Sequence, residues 1–149
     1  MKTIIEGADR YLLRFDPGED VMVEFKKWAE NFNQMQLKAA TFTMLGAANK
    51  VLLAYYDLHT QKYIDTPIND DVEIVTVVGN LTWKKDDAGK FGVIVHAHGT
   101  FGGPQCQVWG GHVKQLVVSV TCEVSVVIIN GKGDAIRELD TRCGLALLS

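Results

Sequence analysis

Leu116 to Ile129 reads L-V-V-S-V-T-C-E-V-S-V-V-I-I. Leu116, Val118, Val120, Cys122, Val124, Val126 and Ile128 recur at every second position and make one apolar face. Val117, Ser119, Thr121, Glu123, Ser125 and Val127 make the other, which mixes valines with small polar residues and one acid. A period of two is that of an extended strand. At fourteen residues the run is long for a strand, so it is expected to cross the centre of a sheet or to bend into a second layer. The mixed face is expected to be half-buried beneath a partner subunit.

Upstream lies Ile94 to His112, I-V-H-A-H-G-T-F-G-G-P-Q-C-Q-V-W-G-G-H, which holds three of the four histidines. Lys90 to Phe101 reads as a strand with Phe91, Val93, Val95 and Ala97 on one face and Ile94, His96, His98 and Thr100 on the other. Two imidazoles on one face point the same way. His112 follows a Gly/Pro-rich segment able to turn the chain back. If it returns beside His98, three neutral nitrogens converge, the ligand set of an open divalent-metal site. The alternative is that His96 and His98 are hydrogen-bonded strand residues without a metal.

Val72 to Trp83 is strand-like, and Gly79 inside it marks a bulge or a close backbone approach. Lys84 to Gly89 turns the chain, so this strand and Lys90–Phe101 are expected to form a hairpin. Trp83 and Trp109 are expected in packing.

Towards the N-terminus, Tyr11 to Asp16 reads as a first strand, broken by Pro17-Gly18. Val21, Phe25, Trp28, Ala29 and Phe32 then form one apolar stripe, and an amphipathic helix is expected over about residues 19–33. Leu37 to Leu45 and Lys50 to Tyr56 read as a hairpin turning at Gly46-Ala47-Ala48-Asn49. Gln61 to Ile64 reads as a short strand and Thr66 to Asp70 as a loop. His59 is expected at the surface. Beyond Ile129 a turn leads to a polar tail in which Arg137 and Asp140 are expected to pair. One helix among many strands joined by hairpin-like turns argues for a single α+β domain, 1–149, with a mainly antiparallel twisted sheet.

The composition narrows the function classes. The chain has 149 residues, 47% of them hydrophobic and 22% charged, enough for one domain with a core of its own. The net charge is −3, and Lys84-Lys85 is followed at once by Asp86-Asp87, which does not favour phosphate-backbone binding. No apolar run reaches the length of a membrane span. Met1 to Arg10 lacks the apolar core of a signal peptide, so a cytoplasmic protein is expected. Three widely spaced cysteines agree with a reducing compartment. Cys122 reads as a small core residue. Cys106, between His98 and His112, stays open as a fourth ligand or a reactive thiol.

Several short motifs in this order resemble the plants-and-prokaryotes-conserved (PPC) domain in its free-standing prokaryotic form. They are Tyr11–Asp20 with its Pro-Gly-Glu-Asp, Ala39 to Gly46, Val72-Glu73-Ile74 with Gly79-Asn80, His96-Ala97-His98, Gly110-Gly111-His112, Glu123, and Arg137–Asp140 with Gly144-Leu145. Together they span most of the chain. The resemblance implies a compact α+β fold assembled as a homotrimer, with His96, His98 and His112 holding a divalent metal, zinc. It also implies possible association with DNA, since the plant members are joined to AT-hook segments. This sequence carries no Arg-Gly-Arg-Pro hook and no basic arm. It departs from many members in the loop Gly99 to Gln107.

Three readings follow. In the first, the protein is a trimeric metal-binding protein, with Glu123 or Glu73 accepting a hydrogen bond from a ligating histidine or acting as general base. In the second, it is a DNA-binding or DNA-associated regulatory protein. In the third, it is a structural oligomerisation module. No catalytic residue and no substrate is identified by the sequence.

Overall fold

The computed structural model describes residues 1–33 and 36–149. Ten elements follow one another: β1 (Lys2–Glu6), β2 (Arg10–Phe15), α1 (Val21–Ala29), β3 (Ala39–Asp57), β4 (Lys62–Ile68), β5 (Val72–Lys85), β6 (Phe91–Gly102), β7 (Val108–Ile129), β8 (Ile136–Asp140) and β9 (Leu145–Leu148). Hydrogen-bonded neighbours run β1-β2-β7-β3-β5-β8-β9, with β4 on β3 and with β6 joining β5 to β7. The pairs β3–β5, β5–β6, β6–β7 and β7–β3 therefore close a circuit. All pairings are antiparallel except the short parallel one of β5 with β8. An α+β domain with a mainly antiparallel sheet is what the patterning led us to expect.

Helix α1 begins at Val21, shortly after the Pro17-Gly18 break. Gly18 takes φ +84, the conformation that ends the preceding strand. Asp20 caps the helix by accepting from the Met22 amide at 3.1 Å. The helix buries Val21, Phe25, Trp28 and Ala29. It is shorter than the expected 19–33. Asn31 and Phe32 close i→i+3 bonds to Trp28 and Ala29, which tighten and end the last turn. Phe32 still packs at 5.0 Å from the Trp28 ring and 5.9 Å from Tyr11, so the apolar stripe outlasts the helix that suggested it.

The core lies between α1 and the inner face of the sheet. Phe25 stacks on Trp28 at 5.5 Å and meets Phe42 edge-on at 5.0 Å. Burying each such ring contributes about 2–3 kcal/mol. Trp83 is buried, and its Nε1 donates to the Leu37 carbonyl at 2.7 Å, so its polar atom is satisfied.

Several expectations are corrected. The hairpin at Gly46–Asn49 does not exist: β3 is one continuous strand of nineteen residues. Its register with β7 jumps from Gly46↔Cys122 to Ala48↔Val118, so three β7 residues face Ala47 alone. The Gly-Ala-Ala run reads as a turn but serves a bulge. Gly46 has φ +146, and a Cβ there would lie 2.1 Å from the Thr121 carbonyl. The same bulge turns Val120 out of the apolar face, to 67% exposure. Val118 meanwhile exchanges backbone hydrogen bonds with Gly18 and Glu19 at the mouth of α1. In β5 the register shift falls between Ile74 and Thr76, and Gly79 is the close approach, not the bulge. Thr66 to Ile68 belong to β4, paired with β3, not to a loop. The first strand is β1, and the expected polar tail is the β8–β9 hairpin.

Candidate metal centre

Two pairings build the site. His96 lies opposite Asn80, and His98 opposite Val78, across β5–β6. The tight loop after Gly102, closed by the Gly103 amide on the Gln107 carbonyl at 2.9 Å, returns the chain so that His112 stands opposite His98 across β6–β7. Gly79 allows the first approach. A Cβ there would sit 2.2 Å from the His96 carbonyl oxygen and 2.4 Å from the Phe42 ring.

The three imidazoles are thus brought together. Their centroids form a nearly equilateral triangle with sides of 5.2, 5.3 and 5.3 Å. One nitrogen from each ring lies within 4.8 Å of the others, so the three can hold a metal ion. His98 is exposed, and His96 and His112 are half-buried. Burial, then the Arg137 charge and the neighbouring histidines, push His96 down to about 4. Burial likewise lowers His112, with His98, Lys114 and Arg137 acting in the same direction. At neutral pH these two rings are uncharged, the form that ligates metal. His112 Nδ1 is buried without a hydrogen-bond partner among the described residues. A partnerless nitrogen on one of three clustered imidazoles is the kind of atom a metal would satisfy.

The surroundings are partly unforeseen. Tyr63 of β4 stacks on His112 at 5.3 Å, and Lys114 lies over Tyr63 while pairing with Asp65 at 2.6 Å. Arg137 of β8, only 9% exposed, reaches the cluster with its Nη2 3.2 Å from His96 Nδ1. It does not pair with Asp140, which takes Arg142 instead. Nothing in the sequence announces this role, because it depends on the parallel pairing of Arg137 with Lys84. Glu123 and Glu73 stand elsewhere. Glu123 is an exposed residue of β7 in register with Arg14 and Leu45, and Glu73 an exposed residue of β5 in register with Ala47 and Gly102. Cys106 is exposed, has φ 58, and is outside the ligand cluster. His59 is at the surface, as expected.

A small α+β domain whose mainly antiparallel sheet carries an open three-imidazole cluster is the class that fold and site define. The chain belongs to the Plants and Prokaryotes Conserved (PCC) domain family, whose model matches residues 5–130. This agrees with the resemblance in the motifs.

Among solved structures, a metal-containing protein from Archaeoglobus fulgidus is similar at 27% identity and TM-score 0.82, over 100% of this chain and 99% of that one. A plant- and prokaryote-conserved protein from Pyrococcus horikoshii is similar at 23% identity and TM-score 0.83, over 100% and 97%. A candidate DNA-binding protein from Ralstonia eutropha is similar at 24% identity and TM-score 0.79, over 93% and 90%. No curated protein matches the chain significantly. No helix of the described residues is long and apolar enough to cross a membrane.

Proposed function

We propose that this protein is a zinc-binding homotrimer in which His96, His98 and His112 are the ligands. The observation that carries the metal reading is the triangle of rings, two of them held neutral and one with a buried, partnerless nitrogen. An all-imidazole set suits zinc, and three protein ligands leave a position for water or an exchangeable ligand. When bound, the metal supplies Lewis acidity at that open position. The similarity to a metal-containing archaeal protein supports the same reading.

Family membership supports self-association, and so does the outer face of the sheet. Leu45, Val78, Val127 and Ile129 are 57%, 52%, 36% and 48% exposed there. An apolar face of this kind is normally covered. Elemental analysis of untagged protein, with light scattering on the same sample, tests both parts. The expected result is about one zinc per chain and a mass of three 16.5 kDa chains. Protein free of metal after incubation with zinc and dialysis contradicts the site, and a monomeric mass contradicts the assembly.

A second reading, direct contact with DNA, draws on the similarity to the Ralstonia protein and on one feature of this fold. Lys26, Lys84, Lys85 and Lys90 line a groove of about 900 Å³ between α1 and the β5–β6 turn. Glu30, Asp86 and Asp87 line it too, so its net charge is small. Retardation of duplex DNA that falls steeply with added salt, and that is lost in Lys84→Glu/Lys85→Glu, supports this reading. No retardation at low salt removes it.

A further inference from the structure

Among the described residues Arg137 is a buried cation without a counter-charge. Its Nε donates to Thr82 Oγ1 at 2.9 Å, its Nη1 to the Ala146 carbonyl at 3.1 Å, and its Nη2 to Asn80 Oδ1 at 2.9 Å. All three acceptors are neutral. Among the described residues no carboxylate forms an ion pair with it, and Asp65, whose partner Lys114 lies over Tyr63, is taken by that lysine. Burying a guanidinium among neutral groups is costly unless something negative arrives.

The contact with His96 adds a constraint. A guanidinium can only donate, so at 3.2 Å His96 Nδ1 must be an acceptor there. A neutral imidazole has one proton and one lone pair. If Nδ1 accepts from Arg137, the proton is on Nε2 and that nitrogen cannot ligate. If Nε2 ligates a metal, Nδ1 carries the proton and no longer accepts. If Nδ1 itself ligates, its lone pair is spent. In each case metal ligation by His96 and acceptance from Arg137 exclude one another. Loading the site therefore releases one Nη2–H of Arg137 beside the metal.

We propose that the loaded site binds a small carboxylate, with one oxygen at the open metal position and the other on the freed Arg137 Nη2. The inference rests on the metal reading above. Three neutral rings, a divalent ion and Arg137 place three positive charges in the site with no acid among the cluster residues. A planar anion with two oxygens matches both partners, since guanidinium–carboxylate contacts are short and strongly directional. Arg137 is thus the residue that selects an anionic ligand over a neutral one.

The test uses cobalt(II)-loaded full-length protein, titrated with acetate and, in parallel, with acetamide and imidazole, while the visible cobalt bands are followed. Cobalt uptake is measured first. Failure to bind cobalt overturns the metal reading, and this inference with it. In loaded protein, acetate is expected to shift the bands and to bind roughly tenfold or more tightly than acetamide. In Arg137→Gln, shown to be folded by circular dichroism, acetate is expected to weaken by a similar factor while imidazole is unchanged. Loaded wild type that binds acetate no better than acetamide overturns the inference and leaves the metal site standing. So does an Arg137→Gln protein that keeps the wild-type acetate affinity.

Discussion

His98 and His112 stand directly opposite one another in the antiparallel β6–β7 pair. Side chains of directly opposed residues share one side of the sheet with Cβ atoms about 4.5–5.5 Å apart. His96, two residues along β6, shares that side, so the three rings converge on one side of the sheet. His112→Ala is expected to reduce bound zinc from about one per chain to a small fraction. Its circular dichroism spectrum should stay unchanged, because the half-buried His112 ring is outside the main core. Emission analysis after dialysis checks this. Undiminished zinc in the variant contradicts ligation by His112.

In the metal-free protein the histidines make stability depend on pH. His96 titrates at about 4 in the folded state, against an ordinary 6.5, because of its burial first and Arg137 second. His112 is lowered for the same leading reason. Below 6.5 the unfolded chain takes up protons that the folded chain refuses. Stability is therefore full above that pH and falls as the pH drops towards 4. Thermal melts of chelator-treated protein should show this decline, and His96→Gln should flatten it. A wild-type melting temperature that does not fall across this window contradicts the neutral, desolvated His96.

Gly79→Ala is expected to destabilise the protein by about 3 kcal/mol or more. The added methyl would lie 2.2 Å from the His96 carbonyl, and backbone cannot yield as a flexible side-chain tip can. Since β5 and β6 would have to part at the histidine strand, zinc affinity should fall together with the urea midpoint. A variant with wild-type stability contradicts the close approach of the two strands.

The cysteines differ in accessibility. Cys106 is exposed in the β6–β7 loop, whereas Cys122 is fully buried and its thiol is pushed up to about 12. Iodoacetamide on the native protein should alkylate Cys106 and leave Cys122 untouched until denaturant is added. Peptide mass mapping reads this directly. Early labelling of Cys122 contradicts its position in the core.

Trp83→Phe removes the indole N–H that satisfies the buried Leu37 carbonyl. The loss is expected to be about 1–3 kcal/mol, the cost of a buried unsatisfied group. An urea midpoint equal to wild type contradicts the bond.

The sequence by itself settled what depends on neighbours along the chain. Alternation over Leu116–Ile129 made that run a strand, the i,i+2 spacing put His96 and His98 on one face, and the Val21/Phe25/Trp28 stripe marked the buried face of the helix. The turn before Trp109 made a return of His112 to His98 foreseeable. What the sequence could not settle is whatever depends on strands meeting from afar. Gly46-Ala47-Ala48 looked like a turn because a bulge and a hairpin use the same small residues. Only pairing with Cys122 and Val118 on β7 distinguishes them. Arg137 looked like a surface partner of Asp140. Its place beside His96 comes from the parallel contact of β8 with β5, fixed by the packing of the whole sheet and by no local pattern. Local periodicity decides which way a side chain points, and tertiary pairing decides what it meets.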